Sequence, residues 1–340
     1  MLDYYKRTLR LLTCCLALFL FSPAIADEKA DDAIDRVDKL HDEWSGWVLK
    51  TADQVDGFFS NSQASDADQQ TRLRAFLRVR YDGNEGTKLS PGIRARISLP
   101  NTENRLKLIL GDDEDEGRLN DLDDNQQNIS LQVRGKRETA LKQIQFDLGI
   151  RRRDSSYQPY VRARHSKAFT TDGPWVPRLT NSFYYFTKSK FEYRGQADFD
   201  REIGQHLFFR PTTVVRWYEN NSSECNDGWC LDQYFSLYEK LRRSKSEAIA
   251  YDLEIYLRDK PEFDVFDAVL KARYRRMTKK KWLFWEVEPG VHFPSEYDHD
   301  ATFRFTVRLE GIFGYNTTVD INENFMPVKA PWDQNTQSVE

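Results

Sequence analysis

The sequence contains no apolar run of about 18 residues, the length that a membrane-spanning helix requires, so a protein built of several transmembrane helices is excluded. A large excess of one charge is missing as well, because 50 Lys and Arg residues stand against 54 Asp and Glu residues. The formal net charge is −4. This balance argues against a protein that binds nucleic acid or other polyanions in general.

Sequence motifs of common enzymes are also missing. The chain has no His-Glu-x-x-His, no Gly-x-Ser-x-Gly and no phosphate-binding loop. His165 and Ser166 are neighbours in sequence, so on a strand they would point to opposite faces and could not form a catalytic pair. We therefore expect no enzyme activity, no cofactor and no bound metal, and a lipid hydrolase is the least favoured alternative.

Aromatic residues are abundant, with 22 Phe, 16 Tyr and 8 Trp. Disordered chains combine high charge with few aromatic side chains, so disorder is excluded for most of this sequence. Residues 1–26 have the pattern of a secretory signal peptide, with a basic start, a short apolar stretch at 11–21 and the small residues of Ala24-Ile25-Ala26 before a cleavage site. An exported protein is therefore expected.

Beyond that segment the sequence holds two cysteines, Cys225 and Cys230, in a stretch rich in Asn, Asp and Gly. In an exported protein this pair is expected to form a disulfide. Residues 27–70 are predicted to be a periplasmic helical segment and linker, because apolar residues between 32 and 59 recur at helical spacing. This short amphipathic helix could be a plug or cap, lie on a membrane surface, or bind a periplasmic partner.

From residue 71 to residue 314 the apolar residues recur with a period of 2, in place of the helical period of 3.6 in the preceding segment. In the segment 72–81 apolar and basic side chains alternate, and similar segments of about ten residues recur along the chain. A soluble β-sandwich also alternates, but it seldom carries full charges along whole strand faces. Long strands with one apolar and one ionised face are typical of an antiparallel transmembrane β-barrel. Counting the segments predicts an all-β barrel of about 14 strands, within a range of 12 to 16, followed by a periplasmic tail at 315–340.

The charged faces of these segments are expected to line the lumen. The basic lumen residues that this predicts are Arg72, Arg74, Arg78, Arg80, Arg94, Arg96, Arg134, Arg162, Arg164 and Arg273. The acidic ones, mostly from later strands, are Asp198, Asp200, Asp252, Glu254, Glu286 and Glu288. A basic wall facing a more acidic one favours a passive pore for small anions. Alternatively, the charges pair and fill the bore, giving a structural or partner-binding barrel that does not conduct.

Two late segments, Trp282–Val291 and Phe303–Phe313, resemble strands of outer-membrane β-barrel proteins of Gram-negative bacteria, in particular a widespread barrel family without an assigned function. The resemblance implies a position in the outer membrane, contact with its lipid and lipopolysaccharide, and insertion by the barrel-assembly machinery. The acidic stretch 112–116 could hold divalent cations that bridge to lipopolysaccharide phosphates, or it is a solvated charge run. No nucleic-acid partner is expected.

Overall fold

A computed structural model describes residues 72–98, 106–111, 128–134, 144–153, 156–169, 173–204, 207–220, 228–241, 247–259, 263–278 and 282–313. Within these ranges the chain folds into fourteen antiparallel strands. The strands are β1 Arg72–Asp82, β2 Gly86–Ser98, β3 Leu106–Leu110, β4 Asn128–Arg134, β5 Ile144–Arg153, β6 Ser156–Ala168, β7 Val176–Phe186, β8 Lys190–Gly204, β9 Leu207–Tyr218, β10 Trp229–Lys240, β11 Glu247–Arg258, β12 Asp264–Met277, β13 Leu283–His292 and β14 Thr302–Phe313.

The strands form one closed barrel in which each strand pairs with its neighbours in sequence. Closure comes from β1, which pairs with β14 from Leu73 opposite Phe313 to Asp82 opposite Arg304. A closed sheet has no edge strand, so each described strand hydrogen-bonds to a neighbour on both sides. The all-β antiparallel barrel and its strand number are therefore confirmed.

The first connection is shorter than the sequence suggests. The alternating segments at 72–81 and 93–99 predict a long loop from Asp82 to Pro91 between them, whereas the chain turns within residues 83–85 and β2 begins at Gly86. The Asp82 carboxylate accepts the backbone N–H groups of Asn84 at 3.0 Å and Glu85 at 3.3 Å, which stabilises this turn. Gly86, at a φ of 81°, takes the left-handed conformation that ends it.

The predicted N-terminal helix and the tail at 315–340 lie outside the described residues. Inside the described ranges, the helical structure consists of one 3₁₀ turn, Ser295–Tyr297, between β13 and β14. No helix in those ranges has the length and apolar character to span a bilayer.

Candidate functional site

One face of the barrel wall is apolar and exposed. On β1, Leu73, Leu77 and Val79 are 39 to 44% exposed, and the alternate residues of β14 include Phe305 and Leu309, also exposed. Each of these positions is directly opposite another apolar residue, for example Leu77 opposite Leu309. In water such a continuous apolar surface would cause aggregation, whereas in lipid it is the favourable outer surface of a barrel.

The other face of the wall points inward and carries the charges. Arg74, Arg78 and Arg80 on β1 are buried, as are Asp200 on β8 and Arg275 on β12. A soluble β-sandwich would bury the apolar face and expose the charged one, so that alternative is wrong. The chain is an outer-membrane β-barrel. Its candidate functional site is the inner face.

The basic residues predicted for the lumen lie on this inner face wherever their side chains are described. Arg74, Arg78, Arg80, Arg162 and Arg273 are buried, and Arg94, Arg96 and Arg164 are partly exposed. The side chains of Arg72 and Arg134 lie outside the described residues. Register places Arg74 directly opposite Arg94 on β2 and Arg78 directly opposite Arg308 on β14. Like charges at opposite positions destabilise a sheet. The same arrangement concentrates positive potential on one part of the wall.

The acidic residues predicted for the lumen are close to cations on adjacent strands. Asp200 contacts Arg210 of β9 through both carboxylate oxygens. Asp252 accepts a hydrogen bond from Arg273 Nε at 2.7 Å, and Asp198 accepts one from Thr212 Oγ1 at 2.7 Å. These carboxylates are therefore neutralised or hydrogen-bonded within the wall.

The remaining three predicted acids also lie close to Lys or Arg side chains on adjacent strands. Glu254 and Glu288 lie 3.4 and 3.7 Å from Lys271 Nζ, and Glu286 lies 3.3 Å from Arg275 Nη1. Arg275 also donates to Glu310 at 2.5 Å. A ladder of ion pairs thus crosses β11 to β14. The sequence pattern puts Arg275 and Glu310 on charged strand faces but does not pair them.

A second network joins β5 to β9 and combines arginines with aromatic rings. Arg162 donates to Asp147 at 2.7 Å, and its guanidinium carbon is 5.6 Å from the Tyr184 ring centroid. Arg153 donates to Glu192 at 2.8 Å and stacks 4.4 Å from the Phe186 ring. Burial of these groups makes charge-assisted hydrogen bonds and cation–π contacts stronger than at an exposed surface, so these contacts stabilise this part of the wall.

At the end of the barrel where β1 turns into β2, His292 lies between two carboxylates. Its Nε2 is 3.0 Å from Asp82 and its Nδ1 is 3.3 Å from Asp267. Arg304 Nε donates to Asp82 at 2.9 Å. This cluster joins β1, β12, β13 and β14 across the closure of the barrel, and both ring nitrogens of the histidine face carboxylates.

A third cluster surrounds the ring of Phe76, the one aromatic side chain on the inner face of β1. The guanidinium carbons of Arg78, Arg94 and Arg308 lie 5.6, 5.2 and 5.9 Å from its ring centroid. These arginines come from β1, β2 and β14. We call these four residues the Phe76 cluster.

Other predicted features remain predictions. Cys225 and the acidic stretch 112–116 lie outside the described residues, and Cys230 is buried beside Tyr218. Ser166 Oγ is 2.9 Å from Thr180 Oγ1 across β6 and β7. In the part of the chain that the structure describes, no three His, Cys, Asp or Glu side chains are grouped to hold a metal ion.

The sequence matches no family model, and no curated protein matches it. Among solved structures, a bacterial polysaccharide outer-membrane secretin is 12% identical with a TM-score of 0.43, over 74% of this chain and 100% of that chain. OprB of Pseudomonas putida is 7% identical with a TM-score of 0.44, over 72% and 93%. A loop-deletion mutant of the outer-membrane protein OmpT of Vibrio cholerae is 9% identical with a TM-score of 0.42, over 72% and 98%. These similarities are too weak to bear on what this chain does.

Proposed function

We propose that the barrel is a passive pore that favours small anions. The observation that carries the proposal is the uneven charge of the inner face. On β1 to β7 the described inward side chains include many basic residues and two acidic ones, Asp82 and Asp147. The basic ones are Arg74, Arg78, Arg80, Lys88, Arg94, Arg96, Lys107, Arg151, Arg153, Arg162, Arg164 and Arg178.

The opposite half of the wall supports the same sign of selectivity. On β8 to β14 the inward acids alternate with Arg and Lys, as in the Asp252–Arg273 and Glu286–Arg275 pairs. Their negative charge is therefore largely cancelled locally, whereas the described inward side chains of β1 to β7 include many more basic groups than acidic ones. Rings or arcs of Arg and Lys in a pore attract anions and repel cations.

Reversal-potential measurement in a planar bilayer tests the proposal. Under a tenfold KCl gradient the refolded protein is expected to show a reversal potential of the sign that chloride permeation gives. Arg78→Glu together with Arg94→Glu should move it towards the potassium value, because two positive charges in the arc become negative. Arg276→Glu is the matched control, since Arg276 is 50% exposed and lies outside the inner face, and it should leave the potential unchanged. A potassium-selective wild type would refute the proposed preference.

A second candidate, a structural barrel that does not conduct, is favoured by one observation. Asp200, Asp232, Ser236 and Arg275 on the inner face are all 0% exposed, so the wall of β8 to β12 is tightly packed. Paired charges that fill a bore stop conduction, as in small barrels. The bilayer experiment separates the two candidates, because a filled barrel gives no conductance steps in either the wild type or the Arg→Glu variant.

A further inference from the structure

We propose that residues 44–70, which directly precede β1, lie inside the barrel against the basic side chains of β1 to β7. The inference rests on the proposed pore for its consequence, because a segment in this position narrows the path of the ions. Three observations carry it: the burial of long inward side chains, the width of a barrel of fourteen strands, and the charge and aromatic content of the segment.

The longest side chains of the inner face are covered at their tips. Arg74 of β1, Tyr184 of β7, Tyr234 of β10 and Phe284 of β13 point inward from all sides of the barrel, and each is at most 2% exposed. Neighbours on the same wall cover the base of a long inward side chain, whereas its tip projects towards the axis. In an open bore these tips would be wet, so something besides the wall itself covers them.

Side chains from opposite walls do not reach each other. Strands in a sheet lie about 4.8 Å apart and tilt by about 40° in a membrane barrel, so fourteen of them enclose a cylinder about 28 Å across. Barrels of about eight strands are filled by their own side chains, whereas those of about 16 to 18 leave a channel. An α-helix with its side chains is about 10–12 Å wide, so one helix fits along the axis of this barrel.

The segment before β1 has the length and the attachment point for that place. Apolar residues in 44–59 recur at helical spacing, which predicts a helix about 24 Å long, close to the height of about 25 Å of the apolar band of a membrane barrel. Residues 60–71 join it to Arg72, the first residue of β1. A connection of that length spans up to about 40 Å, so it lets the helix fold back into the end of the barrel at which β1 begins.

Charge and aromatic rings make the segment complementary to the inner face of β1 to β7. Residues 44–70 contain four acidic groups, Asp53, Asp56, Asp66 and Asp68, against one basic group, Lys50. They also contain two Trp and two Phe residues, whose ring faces attract guanidinium groups. The described inner face of β1 to β7 carries many more basic than acidic side chains, so it favours an acidic segment that is rich in aromatic residues.

Crosslinking within the refolded mature protein in vesicles tests this position. In a chain with Cys225 and Cys230 replaced by serine, Ala52→Cys in the middle of the segment is combined with Ser182→Cys on the inner face of β7. The matched control replaces Ser182→Cys by Phe183→Cys, the adjacent position on the outer face. A membrane-permeant bis-maleimide that spans about 14 Å, half the width of the barrel, should join position 52 to position 182 and not to position 183.

The charge of the segment is tested in the same pair of cysteines. Asp53→Lys together with Asp56→Lys should lower the yield of the 52–182 crosslink at least about fivefold, because acids that face arginines become cations. The same variant should give larger chloride conductance steps than the wild type, because the segment leaves the path of the ions. Lys50→Asp is the control, since it adds an acid to the segment, and it should keep the yield. Equal yields in all of these proteins would contradict docking by charge.

Other occupants of the interior give different crosslinks. Links between two chains would assign it to a second copy, and a link from Ser338→Cys to Ser182→Cys in the absence of the 52–182 link would assign it to the tail at 315–340. Either result overturns the proposal, as do equal yields at positions 182 and 183. The pore is judged separately: a 52–182 link without conductance would refute the pore and leave the segment in place, whereas anion conductance without the link would refute the segment alone.

Discussion

Replacement of Arg275 by Met tests whether the inner wall of β12 to β14 is a packed ionic interior. Arg275 is 0% exposed, its Nη1 is 3.3 Å from Glu286 and its Nη2 is 2.5 Å from Glu310. Its guanidinium carbon also lies 4.8 Å from the Phe284 ring. The substitution leaves the two carboxylates buried without the cation that they share.

Removing one partner of a buried ion pair costs about 3–5 kcal/mol. Glu286 keeps a contact with Arg308 at 3.7 Å, so we expect a value near the lower end, about 3 kcal/mol. Since each 1.4 kcal/mol is tenfold in an equilibrium constant, the folding constant should fall by roughly a hundredfold. Adding Glu310→Gln to Arg275→Met should recover at least about 1 kcal/mol, because it removes one of the stranded charges.

The assay is unfolding in guanidinium chloride of barrels refolded in lipid vesicles, analysed by linear extrapolation. The control is Arg276→Met at the adjacent position, where the side chain is 50% exposed and pairs with Glu247 at 3.3 Å. An exposed pair of this kind contributes about 0.5 kcal/mol. Equal destabilisation by the two substitutions would refute the reasoning, because it would mean that the inner wall is as well hydrated as the outer rim.

Further predictions concern the outer face, the contact between Gly92 and the Phe76 ring, and the cysteines. Leu77→Arg places a charge in the lipid-facing middle of β1 and should destabilise the barrel by about 2–4 kcal/mol in the vesicle assay, whereas Leu77→Phe should not. Gly92→Ala should cost about 1–3 kcal/mol by clash with Phe76, and Phe76→Leu in the same chain should recover most of it; additive losses would contradict the clash. If Cys225 pairs with Cys230, the denatured mature protein titrates no thiol before reduction, and one thiol after Cys225→Ser; a free thiol in the wild type would contradict the pair.

The architecture could be predicted from sequence because the period of a strand is strict. In the segment 72–81 every second residue is apolar and most of the others are arginine, and register makes no difference to that pattern. Counting such segments predicts about 14 strands, within a range of 12 to 16, and the described barrel has fourteen. The first connection was predicted to be too long. Pro91 and Gly92 are usual loop residues, but here they lie within β2, where Pro91 is opposite Leu77 and Gly92 lies against the Phe76 ring.

The ion pairs could not be predicted, because they depend on register. Asp200 and Arg210 are brought together by the register of β8 against β9, which shifts between Glu202 and Gly204. The alternating pattern of the sequence predicts the strand face on which Asp200 lies. It does not predict this register shift, and so it does not predict which residue pairs with Asp200. Glu310 and Arg275 are 35 residues apart and lie on strands separated by β13, so no local pattern connects them.

The most direct test of the account labels single cysteines along β14 of the mature protein, with Cys225 and Cys230 replaced by serine, in vesicles that contain a lipid-borne quencher. Fluorophores at positions 305, 307 and 309 should be quenched by lipid, because Phe305, Val307 and Leu309 are exposed on the outer face. Fluorophores at positions 306 and 308 should be protected, because Thr306 and Arg308 point inward. Quenching that does not alternate along the strand would contradict an apolar outer surface around an ionised interior.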